Sequence, residues 1–149
     1  MRLIGLYEWI AGSQHEFTRQ FQNNDQLFNQ AQSFWNQLNG TTWSALIVMF
    51  VIGIATAIYY YTAYNNKPGR HFTLPQWAIF IIAVFLVTFM TSLAILYFFA
   101  KPKLNGAWEI ELLLSLGNSI YAVIVYTIMS IIWCNCSYLP TNAYRVFKF

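Results

Sequence analysis

Few residues in this chain have side chains that could do chemistry, and nearly all of them border long apolar stretches. Glu109 and Glu111 are the acids nearest such a stretch. A carboxylate deep in a bilayer is costly and is a functional candidate by default. At the start of an apolar helix the cost is small, and the helix dipole favours it by about 0.3–1 kcal/mol. On a helix the two acids would point about 200° apart, so they cannot face one neighbour together. Interfacial capping is the expected role, with a proton or ion role as the alternative. Cys134 and Cys136 form a C-x-C pair. Such a pair can ligate a metal, bridge or carry a lipid. A metal needs further ligands, and His15 and His71 stand alone. The expected reading is interfacial cysteines, with no metal and no cofactor.

Catalysis has little support. The chain contains no G-x-S-x-G, no H-E-x-x-H, no P-loop and no G-x-G-x-x-G. Five Asp and Glu residues in all leave few general acids or bases. No catalytic residue is expected, and the chain reads as a non-enzyme.

Composition explains the setting. Of 149 residues, 58% are hydrophobic and 9% are charged, against about 25% charged in soluble domains. The net charge of +3 is spread thinly, with no basic run. Nucleic acid therefore has no electrostatic footprint to bind. The segment Gln76–Phe99 holds no charge, glycine or proline. As a helix it reaches about 36 Å, enough to cross a hydrocarbon core of roughly 30 Å. Trp43–Tyr64 and Glu111–Trp133 are similar, so the expected fold is all-α: a multi-pass membrane protein with three transmembrane helices and an N-terminal amphipathic helical segment. The expected regions are 1–42, N-terminal and interfacial; 43–133, transmembrane; and 134–149, a juxtamembrane tail.

In the first region Leu3, Leu6, Tyr7 and Ile10 share a helical face, with Tyr7 and Trp9 expected at headgroup depth. Glu8 interrupts this stretch, and Leu3–Ile10 is short for a signal peptide, so none is expected. Ser13 and Glu16 make a capping-box pattern. Beyond it Phe17, Phe21, Phe28, Ala31, Trp35 and Leu38 follow a heptad seam with a gap at Asn24. One amphipathic helix is expected from Ser13 to Asn39, ended by Gly40 as its C′ residue. Its polar face is rich in amides, and only Arg19 is basic. Lipid-surface helices usually carry Lys and Arg there. A protein partner is therefore expected on Phe17, Phe21, Phe28, Trp35 and Leu38; the alternative is a helix folded back over the protein's own spans.

Thr41 or Thr42 is expected to cap the first span, with Trp43 at one interface and Tyr59, Tyr60, Tyr61 and Tyr64 as a belt at the other. Gly53 and Ala57 are small residues four apart, which lets a second helix approach. Pro68-Gly69 marks a turn beside Lys67 and Arg70, and Pro75 opens the second span. The hydroxyls of Thr88, Thr91 and Ser92 are expected to bond within their own helix, with a bond across to a neighbouring helix as the alternative. Lys101-Pro102-Lys103 ends this span, Asn105-Gly106 turns the chain, and Trp108 marks the interface. In the third span Ser115, Asn118, Ser119 and Ala122 define the expected packing seam. Pro140 ends the last helix, and Arg145 and Lys148 alternate with Tyr144, Phe147 and Phe149.

Basic residues favour the N-terminus out and the C-terminus in. The first loop and the tail hold Lys67, Arg70, Arg145 and Lys148, against Lys101 and Lys103 across the membrane. The expected function is an anchor or scaffold subunit in the inner (cytoplasmic or organellar) membrane, within a secretion or contractile apparatus or a respiratory or ATP-synthase-type complex. Its partners would be other membrane-complex subunits and the lipid bilayer, with a homo-oligomer as a further possibility. The alternative is a small oligomeric pore, holin-like or a defence effector.

Overall fold

The computed structural model describes Tyr7, Ile10 and residues 12–64, 74–102 and 104–136. The expected turn with Lys67, Pro68, Gly69, Arg70 and His71 lies outside the described residues. So do Leu3, Leu6, Glu8, Trp9, Lys103 and the tail residues Pro140, Tyr144, Arg145, Phe147, Lys148 and Phe149.

The described residues fold as helices without a strand. They form α1 (Gln14–Arg19), α2 (Asp25–Tyr59), a π-helical turn (Tyr60–Tyr64), α3 (Leu74–Phe99) and α4 (Ala107–Asn135). Three helical stretches, Asp25–Tyr64, Leu74–Phe99 and Ala107–Asn135, are long and apolar enough to cross a membrane. The protein is a multi-pass membrane protein of the all-α class.

The capping box that starts α1 is formed. The Glu16 amide donates to Ser13 Oγ at 3.3 Å, and the Ser13 amide donates to Glu16 Oε2 at 3.2 Å. The long helix expected from Ser13 to Asn39, however, is corrected at both ends. α1 stops at Arg19, and a new helix begins at Asp25 because Asn24 caps it. Asn24 Oδ1 accepts from the amides of Gln26 at 3.0 Å and Leu27 at 3.3 Å. Its short side chain competes for backbone donors, which favours a cap over a helix interior. The seam's gap is thus a helix boundary.

Asn39-Gly40 does not end the helix either. α2 runs through it for 35 residues, about 52 Å at 1.5 Å per residue. A glycine inside a helix costs about 1 kcal/mol, less than leaving backbone groups unpaired at a membrane edge. Thr41 and Thr42 accordingly cap nothing. Their hydroxyls donate back to the carbonyls of Gln37 at 2.8 Å and Leu38 at 2.6 Å.

α3 opens with Pro75 in its first turn, where proline's missing amide is tolerated. α4 starts at Ala107, one turn before the expected Glu111. Gly106 makes this possible, since its φ of +84° is a left-handed turn conformation.

The chain divides into two compact units. One joins Met1–Val48 with Phe89–Asn118, and the other joins Met49–Thr88 with Ser119–Phe149. In the first unit, Phe17 packs on Phe34 and Trp35 with ring centroids 5.7 Å apart. Phe17, Trp35 and Leu38 are buried, while Phe21 and Phe28 are half-buried. The seam expected to meet a partner is therefore turned inward at those three positions, because α1 doubles back on α2 to cover it. In the second unit α2 and α4 approach closely at Gly53. A Cβ there would lie 3.0 Å from Val125 Cγ1 and 3.1 Å from the Ala122 carbonyl oxygen. Ala57 and Ala122 are buried as well.

Candidate functional site: buried polar groups in the spans

Each unit holds one cluster of buried polar side chains inside the apolar spans. In the first it is built on Asn118 of α4. The Tyr7 hydroxyl donates to Asn118 Oδ1, and Asn118 Nδ2 donates to Ser92 Oγ at 3.3 Å. All three residues are fully buried. The amide thus uses an acceptor and a donor on two different segments of the chain, which fixes both against α4. Buried polar groups in lipid require such partners. Ser92 thereby bonds across helices, the alternative to the own-helix bonding expected first.

Tyr7, expected as an interfacial residue, is fully buried against α4. Its ring lies against Gly117, where a Cβ would be 3.5 Å from Tyr7 Cδ1 and 2.8 Å from Ile10 Cδ1. A glycine notch on one side and an amide acceptor on the other hold the phenol.

Glu109 and Glu111 point apart as their spacing requires: Glu109 is exposed, and Glu111 is 1% exposed. Glu111 is therefore not a water-facing cap. The early start of α4 moves it a turn into the helix, where its backbone carbonyl accepts from Ser115 Oγ at 2.7 Å. Glu111 is among the residues that line a groove of about 340 Å³, with Met90, Leu93, Ala94, Tyr97, Trp108 and Leu112. That lining supplies no second acid, histidine or cysteine. Chemically the groove is an apolar slot with one acidic residue in its wall.

The second unit's cluster is aromatic. Trp77 Nε1 donates to Ser130 Oγ at 3.2 Å, and Ser130 Oγ donates to the Tyr126 carbonyl at 2.8 Å. The Tyr61 hydroxyl and Cys134 Sγ share a hydrogen bond at 3.6 Å. Tyr61 also stacks on Trp133 at 5.9 Å, and Tyr60 packs edge-on against Phe80 at 4.9 Å. Tyr60 and Tyr61 are buried, so they do not belong to the expected belt; Tyr59 is exposed and does fit it. The π-helical turn is the physical reason, since the extra residue per turn changes which side chains face inward.

Of the expected packing residues, Gly53, Ala57, Ser115, Asn118, Ser119 and Ala122 are all buried. Cys134 is buried and Cys136 half-buried, both as free thiols. His15 is exposed on α1. Among the described residues no group of three or more His, Cys, Asp or Glu could hold a metal ion.

Tyr7, Trp77, Tyr126 and Ser130 were not candidates on sequence grounds. Ser130 carried a weak signal, a hydroxyl in an apolar run. Tyr7 carried none, because its partner is 111 residues away. No protein-family model, no curated protein and no solved structure matches this chain.

Proposed function

We propose that the chain is a non-enzymatic anchor or scaffold subunit of a larger membrane assembly. The observation that carries this reading is the projecting first part of α2. Gln37 Oε1 accepts from the Lys101 amide at 3.2 Å, so Gln37 is level with the end of α3. The stretch from Asp25 to Asn36 extends past that level by about 18 Å at 1.5 Å per residue. One side of this stalk is covered by α1 through Phe17, Phe34 and Trp35. The other side exposes Gln26, Asn29, Gln30, Ser33 and Asn36 at helical spacing. Amides donate and accept hydrogen bonds without charge, which suits a protein surface better than anionic headgroups. A rigid amide-rich stalk continuous with a membrane span, with Asp25 its one charged residue, is a mount for another subunit.

The reading places the chain in an inner membrane, cytoplasmic or organellar, with the stalk outside and the tail inside. Four basic residues against two support that orientation. The assembly classes that suit it are secretion or contractile machines and respiratory or ATP-synthase-type complexes. An oligomeric pore suits the geometry less, because Asn118 and Ser115 spend their hydrogen bonds inside the chain.

The test is photocrosslinking in intact membranes, with the reactive residue at Ser33 on the stalk or at Ile82 on the lipid-facing side of α3. A discrete protein adduct from Ser33, with none from Ile82, is expected. No adduct from Ser33, together with a lone monomer after mild-detergent purification, would overturn the reading.

A further inference from the structure

In the first unit α2 presents two opposite faces. The inner one is closed: Ala31, Leu38, Thr42 and Ala45 are fully buried, with Phe34 and Trp35 beside them. The outer one is open. Gln26, Gln30, Ser33, Gln37, Gly40 and Ser44 are all exposed. Their successive gaps are 4, 3, 4, 3 and 4, an unbroken alternation. Positions at that spacing stay aligned on a facing helix when two helices supercoil.

Gly40 is the residue that the chain's own packing does not explain. Glycine is unfavourable inside a helix. At Gly53 and Gly117 it is required, because a Cβ would lie 3.0 and 2.8 Å from its nearest neighbour. A Cβ at Gly40 would meet nothing within 4 Å. Beside it is a groove of about 390 Å³, lined by Gly40, Thr41 and Ser44 of α2 and by Ile95 and Phe99 of α3. Gly40 and Ser44, four residues apart, let a second backbone come close.

We infer that this outer face is where two copies of the chain pair, with α2 running parallel to α2 and Gly40 at the closest approach; the pairing rests on the scaffold reading and names the first subunit that the stalk meets. Two copies cross a membrane in the same direction, so their α2 helices run parallel. Around a two-fold axis each residue of the face then meets its own counterpart. The chemistry suits that self-match. An amide both donates and accepts, so Gln26 and Gln30 can each bond to their own copy. Gln37 Oε1 takes the Lys101 amide, which leaves its Nε2 to donate. Glycine meets glycine and serine meets serine where the helices are nearest. No residue from Gln26 to Ser44 is charged, so nothing on the face repels its copy. An acidic or basic partner would find no counter-charge there.

Cysteine crosslinking in intact membranes tests it, with Cys134→Ser and Cys136→Ser as background. Single cysteines replace Ser33 and Ser44 on the face, and the exposed Gln32 one position off it. A disulfide between copies needs Cα atoms within about 7 Å, so copper phenanthroline should give at least about fivefold more linked dimer at Ser33→Cys and Ser44→Cys than at Gln32→Cys. Gly40→Leu separates the pairing from the fold, because a Cβ there touches nothing in its own chain. It should lower the dimer at Ser44→Cys at least about threefold by blocking close approach, and Gly40→Ala should lower it less. Equal yields at positions 32 and 33, or a yield at position 44 unmoved by Gly40→Leu, would overturn the pairing. Mass spectrometry of the Ser33 photoadduct keeps the two readings apart. An adduct of the chain with itself supports the pairing. An adduct with a different protein alone overturns the pairing and leaves the scaffold reading in place.

Discussion

The unit containing Asn118 and the unit containing Gly53 are built from the same three spanning helices, yet they hold those helices by different means. Around Asn118 the contacts are directional: Tyr7, Asn118 and Ser92 form hydrogen bonds between segments distant in sequence. Around Gly53 the contact is steric. Two backbones approach until a single Cβ would collide, and elsewhere in the unit the rings of Tyr60, Tyr61, Phe80 and Trp133 pack on one another. In lipid no hydrophobic force draws helices together, so close packing and hydrogen bonds must do so. The first unit leans more on polar pairing and the second more on steric fit, although Trp77 to Ser130 and Tyr61 to Cys134 add hydrogen bonds there. The difference teaches that steric fit and polar pairing substitute for one another, with different penalties when broken.

The steric device should be the more fragile. Gly53→Leu would place its Cβ 3.0 Å from Val125 Cγ1 and 3.1 Å from the Ala122 carbonyl, and then add more atoms behind it. Backbone cannot move aside as a side chain can. A loss of about 3 kcal/mol is expected, the upper end of overpacking costs. Unfolding in mixed micelles as a function of SDS would measure it. A loss under about 1 kcal/mol would mean the helices can part at no great cost and that the close approach is incidental.

Asn118→Leu probes the polar device with a side chain of similar size. It removes an acceptor from Tyr7 and a donor from Ser92 at once. Hydrogen bonds between membrane helices average about 0.6 kcal/mol and reach about 1.7, so a loss of about 1–2 kcal/mol is expected in the same assay. A double-mutant cycle with Tyr7→Phe sharpens this, because coupling between the two positions isolates their shared bond. A coupling energy near zero would show that Tyr7 is held by its ring on Gly117 alone.

Which of these features could be read from the chain follows from what enforces them. The spans were legible because a bilayer demands about 20 continuous apolar residues in one helix, and nothing in tertiary packing can relax that demand. The Ser13–Glu16 cap was legible because both partners are three residues apart. Asn118 stood out as an amide in an apolar run. The rest depended on competition that local pattern does not decide. Asn24 broke a helix that hydrophobic spacing alone would continue, and Gly40 failed to end one because the adjoining span imposed helix on it. Glu111 was placed a turn too shallow for the same reason, since Gly106 let α4 begin early. Tyr60 and Tyr61 were assigned to the surface on a 3.6-residue period that the π-helical turn does not keep. Tyr7 found its partner through the fold, which no short spacing encodes.

The smallest expected effect is the one best placed to break the contrast between the units. The Tyr61 hydroxyl and Cys134 Sγ are 3.6 Å apart, and thiols are weak donors and weak acceptors. If the second unit is held by shape, Tyr61→Phe should leave stability within about 0.5 kcal/mol of the parent chain, because the ring and its stack on Trp133 remain. Tyr61→Ala, which empties that space, should cost about 3–5 kcal/mol, as aromatic-to-alanine changes in cores do. The ratio of the two losses reports how much of the residue's contribution lies in its ring. Should Tyr61→Phe instead cost as much as Asn118→Leu, the hydroxyl–thiol contact would be as strong as the amide pair, and both units would be fastened by directional bonds. Steric fit at Gly53 would then be a second lock on a unit already held by polar contacts.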